Sequence, residues 1–367
     1  MVNKVFASPS RYIQGKGVFK NSADYLKKIG EHALIITDEV VWKIIGKDLY
    51  SHLSSNGMHV TVDMFKGEAS MTEINRISEI AKNEHCDLIV GLGGGKAIDT
   101  AKAVSNFSDA ALAILPTIAS TDAPTSSVSV VYSDEGVFEK YIFYKKNPDL
   151  VLIDTEVISK APVRLLKSGI ADAMATWIEA KAVLQKNGEN LVGGTQTLAS
   201  VAIAEKCEEV LFKYSFAAVA ANEAQVVTKA LDAIVEANTL LSGVGFESSG
   251  LSAAHSIHNG FTALTGDIHH LTHGEKVTYG TLTQLFLENR PTEEIDKYIN
   301  FYQKLGLPTT LKEMHLDKVS YEDLLKVGEL ATSPTETIHQ MSFEITAADV
   351  ADALLTVDAY VKNYYTK

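Results

Sequence analysis

Cysteine is nearly absent. There are two, Cys86 and Cys207, in 367 residues. Two thiols cannot build a disulfide framework, so the expectation is a pair of buried or half-buried thiols in a reducing, cytoplasmic compartment. Any metal centre must then be made of histidine and carboxylate. Long apolar runs are also missing. The longest, such as 110–116 and 217–221, are too short to span a bilayer. The opening MVNKVFASPSRY has no apolar run either, which argues against a secretory signal. Positive charge is in deficit: 33 Lys and Arg stand against 46 Asp and Glu, a net charge of −13. That disfavours nucleic acid and anionic membrane as partners, and weighs against a strongly anionic substrate. There is no low-complexity tract and no internal repeat.

Histidine, by contrast, is concentrated. Five of the eleven fall between His255 and His273, in HSIHNGFTALTGDIHHLTH. Imidazole is the commonest protein ligand for transition metals. His255 and His258 are three apart, as are His270 and His273, a spacing that puts each pair on one face of a helix. Two of the five are expected to be ligands, the rest supporting, cofactor-facing or structural.

The first 150 or so residues alternate strand and helix patterns. Apolar or alternating runs at Ala33–Thr37, His59–Phe65, Asp87–Gly91, Ala111–Pro116 and Leu150–Asp154 read as strands. Helical spacing fills Val40–Ser54, Thr72–His85 and Asp99–Phe107. Continuous apolar strands between helices predict a parallel, doubly wound sheet. Ser126–Tyr144 reads as an inserted β-hairpin turning at Ser133–Gly136. After Asp154 helices dominate: Pro162–Lys186, Gly194–Tyr214, Asn222–Gly243, Gly274–Asn289, Thr292–Leu305 and Ala347–Tyr364. The predicted fold is therefore a Rossmann-like α/β domain over 1–160 followed by an all-α domain over 161–367.

GLGGGKAID at Gly91–Asp99 follows a strand and opens a helix. Glycines there let the backbone approach a pyrophosphate, and the helix N-terminus offers free N–H groups and a positive dipole. The spacing is neither GxGxxG nor a P-loop, and tight structural turns use the same residues. Asp38 ends the strand ALIIT, where a carboxylate can accept from an adenosine ribose and repel a 2′-phosphate, favouring NAD over NADP. TDEVVW also reads as a helix N-cap, and both roles are compatible. The loop TIASTDAPTSS at Thr117–Ser127 follows a strand, where α/β sheets bind ligands. Asp172 lies within the apolar helix SGIADAMATWI. An unpaired carboxylate is costly there, so it is the best candidate for the anionic metal ligand.

GLGGGKAID, TIASTDAPTSS, GIADAMATWIEA and GLSAAHSIHNGFTAL…HHLTHGEKV together resemble the iron-type, group III metal-dependent alcohol dehydrogenases, across essentially the whole chain. Within that family they look most like the zinc-dependent glycerol dehydrogenases. The resemblance implies a dehydroquinate synthase-like fold with its active site between the two domains. It implies metal ligation by Asp172, His255 and His273. It places Gly94, Gly95, Lys96 and Asp99 on the NAD pyrophosphate and Asp38 on the ribose. Thr117, Ser120, Ser126, Val128 and Tyr132 line the rest of the cofactor site. Asp122 binds substrate hydroxyls. Iron-type members often carry a histidine one turn after the metal aspartate, where this chain has Thr176. Three protein ligands and an open position favour Zn²⁺ over Fe²⁺.

The implied reaction oxidises glycerol to dihydroxyacetone with NAD, by a homo-oligomer that is often an octamer. No dedicated protein base is evident, and His258 or His270 are candidates to pass the proton. A glycerol-1-phosphate dehydrogenase or a dehydroquinate synthase-like lyase would need basic residues in the pocket. None occurs from Pro116 to Glu139, and HHLTHGEK offers only Lys276. A non-catalytic NAD- or metal-binding regulator is the third alternative, against which the intact ligand set argues.

Overall fold

The structure is a computed structural model that describes residues 3–365. The described residues form eight strands: β1 Tyr12–Gly15, β2 His32–Thr37, β3 His59–Met64, β4 Leu88–Gly93, β5 Ala111–Pro116, β6 Val128–Tyr132, β7 Phe138–Phe143 and β8 Leu150–Asp154. Helices of eight residues or more are α1 Lys47–Ser55, α2 Met71–Asn83, α3 Gly95–Ser108, α4 Val163–Lys186, α5 Leu198–Glu223, α6 Lys229–Glu236, α7 Ser242–Ser249, α8 Ala253–Gly260, α9 His273–Leu287, α10 Thr292–Leu305, α11 Tyr321–Ala331 and α12 Ala347–Tyr364. None of the described helices is long and apolar enough to cross a membrane.

Two compact units emerge. One comprises residues 7–166 and 217–243, the other 1–6, 167–216 and 244–367. In the first, six parallel strands lie in the order β1-β8-β5-β4-β2-β3. Their apolar runs follow from burial: Leu34, Ile35, Ile36, Leu88, Ile89, Val90, Val151 and Leu152 are all buried. From β2 the chain turns to β3 on one side and then to β4 on the other. The sheet's switch point therefore lies between β2 and β4, where open α/β sheets bind ligands beyond the strands' carboxyl ends. Asp38 follows β2, and the glycine loop follows β4. The predicted hairpin is β6–β7, antiparallel, with a bulge between Val131 and Tyr132.

The second unit is helical. α8 packs on α9 and α11, and α9 and α11 both pack on α12. Two glycines allow close approaches around α9. A Cβ at Gly274 would lie 1.8 Å from the Ser168 carbonyl oxygen, and one at Gly280 would lie 2.4 Å from that of Ala254. So α9 meets α4 one turn before Asp172, and meets α8 beside His255. Ala175, Ala254 and Val277 fill the small core between these helices.

The units differ from a single cut at 160/161. Residues 217–243 return to the α/β unit because its loops need their polar side chains. Asn222 Nδ2 donates to the carbonyls of Ile158, Ser159 and Ala161 at 3.3, 2.9 and 3.2 Å. Thr125 donates to the Thr239 carbonyl at 2.9 Å, and Asn238 donates to that of Ala119 at 3.0 Å. Conversely, the backbone of residues 3–5 pairs with Thr195. Periodicity sees neither kind of tie. The expected helix Asn222–Gly243 is interrupted as well: Gln225 takes a positive φ of 56°, and Thr228 N-caps a new helix. Strand β1 and helix α11 are further elements that the patterns did not mark.

Candidate functional site

Three side chains converge in the helical unit. Asp172 is the tenth residue of α4, well beyond its first turn, so a helix-dipole role does not explain it. It is fully buried. His255 Nε2 lies 3.3 Å from Asp172 Oδ1, and His273 Nε2 lies 3.0 Å from the same oxygen. One ligand atom from each of the three falls within 4.8 Å of the others. Burial opposes ionisation of Asp172, but the two imidazoles outweigh it and hold the carboxyl well below its usual range.

Sequence reasoning missed the residue behind this cluster. Glu179, two turns along α4 from Asp172, is fully buried. Its Oε2 is 2.5 Å from His255 Nδ1, and its Oε1 accepts from the backbone N–H groups of Ser252 and His255 at 2.9 and 3.1 Å. The spacing Asp172–Glu179 was the available signal. Glu179 orients the ring and leaves Nε2 turned towards Asp172, the way carboxylates support metal-bound histidines. Burial disfavours a charged His255, yet Glu179 and Asp172 together raise its proton affinity well above the usual value. One anionic oxygen and two imidazole nitrogens facing a common point, with an orienting carboxylate behind, fit a divalent transition metal.

The other three histidines divide. His258 is buried, with its ring 4.2 Å from that of His273. Burial, with His273, Lys276 and His255 adding to it, pushes its pKa well down. His269 Nε2–H donates to the Leu264 carbonyl at 2.6 Å. His270 does not share a helix face with His273. It closes a 3₁₀ turn, and Thr272 then caps α9 in a capping box with Glu275. Its side chain is 79% exposed, 3.7 Å from Asp267.

In the α/β unit the glycine loop opens α3 at Gly94, which has no side chain to cap it. The first intrahelical bond runs from Ile98 to Gly94 at 3.0 Å, leaving the N–H groups of Gly95, Lys96 and Ala97 facing out of the helix end. Asp38 does act as an N-cap: Oδ1 accepts from Val40 and Val41 at 2.8 and 2.9 Å. Its Oδ2 is left over and sits 4.0 Å from where a Cβ on Gly93 would be, against the loop. The Thr117 N–H donates to the Gly93 carbonyl at 3.1 Å, joining the two loops.

Several expected cofactor residues are engaged with the protein. Lys96 pairs with Glu68 at 2.6 Å. Asp99 is buried and accepts from the Val130 N–H at 3.2 Å. Ser126 is fully buried, with its hydroxyl accepting from Lys102 at 3.0 Å. Val128 offers its carbonyl to the same ammonium at 2.8 Å. Tyr132 is pushed up to about 12 by burial and by the charges of Asp99 and Glu68. Ser120 is half-buried in the loop after β5. Asp122 is half-buried, and its Oδ2 accepts from Ser242 Oγ at 2.9 Å.

Residues 9–155 match the iron-containing alcohol dehydrogenase family. A glycolaldehyde reductase of Halobacterium salinarum is 48% identical over 97% of this chain and 98% of its own. A glycerol dehydrogenase of Citrobacter freundii is 46% identical, covering 97% of each. The crystal structure of glycerol dehydrogenase from Schizosaccharomyces pombe aligns with a TM-score of 0.96 at 43% identity, over 99% of this chain and 92% of that one. The chain thus combines a parallel α/β sheet with an Asp-His-His cluster that could hold a metal ion. The chain belongs to the iron-containing alcohol dehydrogenase family.

Proposed function

We propose that this protein oxidises glycerol, and vicinal diols like it, with NAD, using a zinc ion held by Asp172, His255 and His273. The carrying observation is the convergence of those three side chains with Glu179 behind them. Likeness over the full length to glycerol dehydrogenases supports the substrate. Thr176 in place of a fourth nitrogen ligand supports zinc over iron.

When bound, the metal supplies Lewis acidity to a substrate hydroxyl or carbonyl oxygen. The chain's own residues supply the rest. Glu179 holds the His255 Nδ1–H and so keeps Nε2 free as a ligand. The outward N–H groups of Gly95 and Lys96 take the pyrophosphate, and Asp38 Oδ2 takes the ribose. Thr117, Ser120 and Tyr132 border the cofactor. Asp122 accepts a hydrogen bond from the hydroxyl next to the reacting carbon, which selects diols over mono-alcohols.

An anionic substrate is disfavoured more firmly than the loop's composition alone suggests. Lys102 lies beside it, but its ammonium has three donors and three acceptors already: the Ala123 carbonyl, Ser126 Oγ and the Val128 carbonyl. No donor is left for a phosphate. A second reading is reduction of a 2-hydroxyaldehyde, favoured by the 48% identity to a glycolaldehyde reductase. It uses the same groups on a shorter substrate.

The test is metal analysis of the purified protein with NAD reduction on glycerol, 1,2-propanediol, ethanol and glycerol-1-phosphate, and NADH oxidation on dihydroxyacetone and glycolaldehyde. Stoichiometric zinc and turnover of the diols are expected. Efficient use of glycerol-1-phosphate would overturn the reading. Efficiency on glycolaldehyde far above that on dihydroxyacetone would favour the second.

A further inference from the structure

Lys102 is the one lysine in the described core that is essentially inaccessible. An ammonium costs much to bury unless every donor is met, and a leucine would fill a helix-core position without that cost. Here every donor is met, and all three acceptors belong to one short segment. Nζ lies 2.6 Å from the Ala123 carbonyl, 3.0 Å from Ser126 Oγ and 2.8 Å from the Val128 carbonyl. Asp99, one turn earlier on α3, stands 3.8 Å from the ammonium and offsets its charge. Asp99 also grips the next stretch: Oδ2 accepts from the Val130 N–H, and its carbonyl accepts from Ser129 Oγ at 2.9 Å. Residues 123–127 form only one 3₁₀ turn and no ladder, and the Ala123 and Thr125 carbonyls are met by the side chains of Lys102 and Asn147, while that of Ser127 accepts from the Tyr144 N–H. Asp122 is the residue immediately before the first of them.

We propose that Lys102 is a positioning residue for diol recognition, holding from the middle of α3 the loop that presents Asp122. Lys102 fixes the backbone on one side, while Ser242 holds the carboxylate on the other. The same helix receives the cofactor at its first turn, so substrate loop and cofactor cradle share a rigid support. The proposal rests on Asp122 being the acceptor for a substrate hydroxyl.

The experiment is a double-mutant cycle. Wild type, Lys102→Met, Asp122→Ala and the double variant are assayed on glycerol and on 2-propanol, with NADH affinity and thermal unfolding recorded for each. Lys102→Met should raise KM for glycerol about tenfold or more, change the 2-propanol rate far less, and leave NADH affinity within about threefold. The double variant should be no worse on glycerol than Asp122→Ala, because both act through one contact. Losses that multiply, or equal losses on the two substrates for Lys102→Met, would overturn the role. If Asp122→Ala itself fails to separate the substrates, the reading of Asp122 is wrong, and the role given to Lys102 falls with it. If Lys102→Met does not fold, Ser126→Ala removes one acceptor and should give a smaller shift in the same direction. No shift there would also overturn it.

Discussion

The two chemical regions of this molecule are assembled in opposite ways. The glycine loop, Asp38 and the hydroxyl-rich loop each follow a strand of one sheet, and each works in the stretch where it is read. Neighbouring strands bring their starting points together, and Lys102 and residues 238–242 then hold the hydroxyl-rich loop. The Asp-His-His cluster takes residues from three helices, 172, 255 and 273, and owes its geometry to packing. Gly274 lets α9 touch α4 at Ser168, and Gly280 lets it touch α8 at Ala254. Where backbone N–H groups at a strand end supply the contacts, as at Gly95 and Lys96, helix packing matters less. A site made of side chains from separate helices is only as accurate as the contacts between those helices.

The comparison can be broken most severely at the ligands. His273→Ala should abolish zinc binding and turnover together while the circular dichroism spectrum and NADH binding persist. Full zinc content with full activity would reject the assignment. Next is Gly274→Ala, which touches no ligand. Its methyl would meet a backbone oxygen that cannot rotate away, so α9 must shift. Overpacking of this kind costs about 1–3 kcal/mol, and zinc affinity should fall with the melting temperature. A variant that melts lower yet binds zinc as well as wild type would show that the cluster is not set by this contact.

Smaller effects belong to the strand-end loops. Removing a hydrogen bond to a charged group costs roughly 1.5–3 kcal/mol. Asp122→Ala should therefore lower kcat/KM for glycerol about ten- to a hundredfold and affect a mono-alcohol far less. Equal losses would assign Asp122 to the cofactor or the fold. Smallest is Asp38→Gly. Glycine in an N-cap costs only a few tenths of a kcal/mol, so stability should barely move while the preference for NAD over NADP relaxes. Comparable use of NADP by wild type would remove Asp38 from that role.

This contrast also explains what the sequence made legible. The strands, the hairpin and the glycine loop are contiguous, and their patterns are local. Asp172 stood out because a lone carboxylate in an apolar helix demands a partner. Glu179 did not, although it lies on the same helix and is as deeply buried: its signal was only its seven-residue spacing from Asp172, and a single glutamate two turns along also reads as an ordinary solvated position. Lys102 escaped for the same reason, since its acceptors are carbonyls more than twenty residues away. The pairing of His270 with His273 failed at Thr272. A threonine followed three residues later by glutamate starts a helix there and separates the two rings.

The return of residues 217–243 to the α/β unit has a consequence in time. A chain emerging from the ribosome exposes all eight strands long before it reaches Asn222, Asn238, Thr239 and Ser242. Until then the carbonyls of Ile158, Ser159 and Ala161 lack their donor, and Asp122 lacks its hydroxyl. Asp172 has already been made at that stage, while His255 and His273 follow only after the excursion ends. Synthesis therefore finishes the loop that holds Asp122 first and closes the metal cluster last.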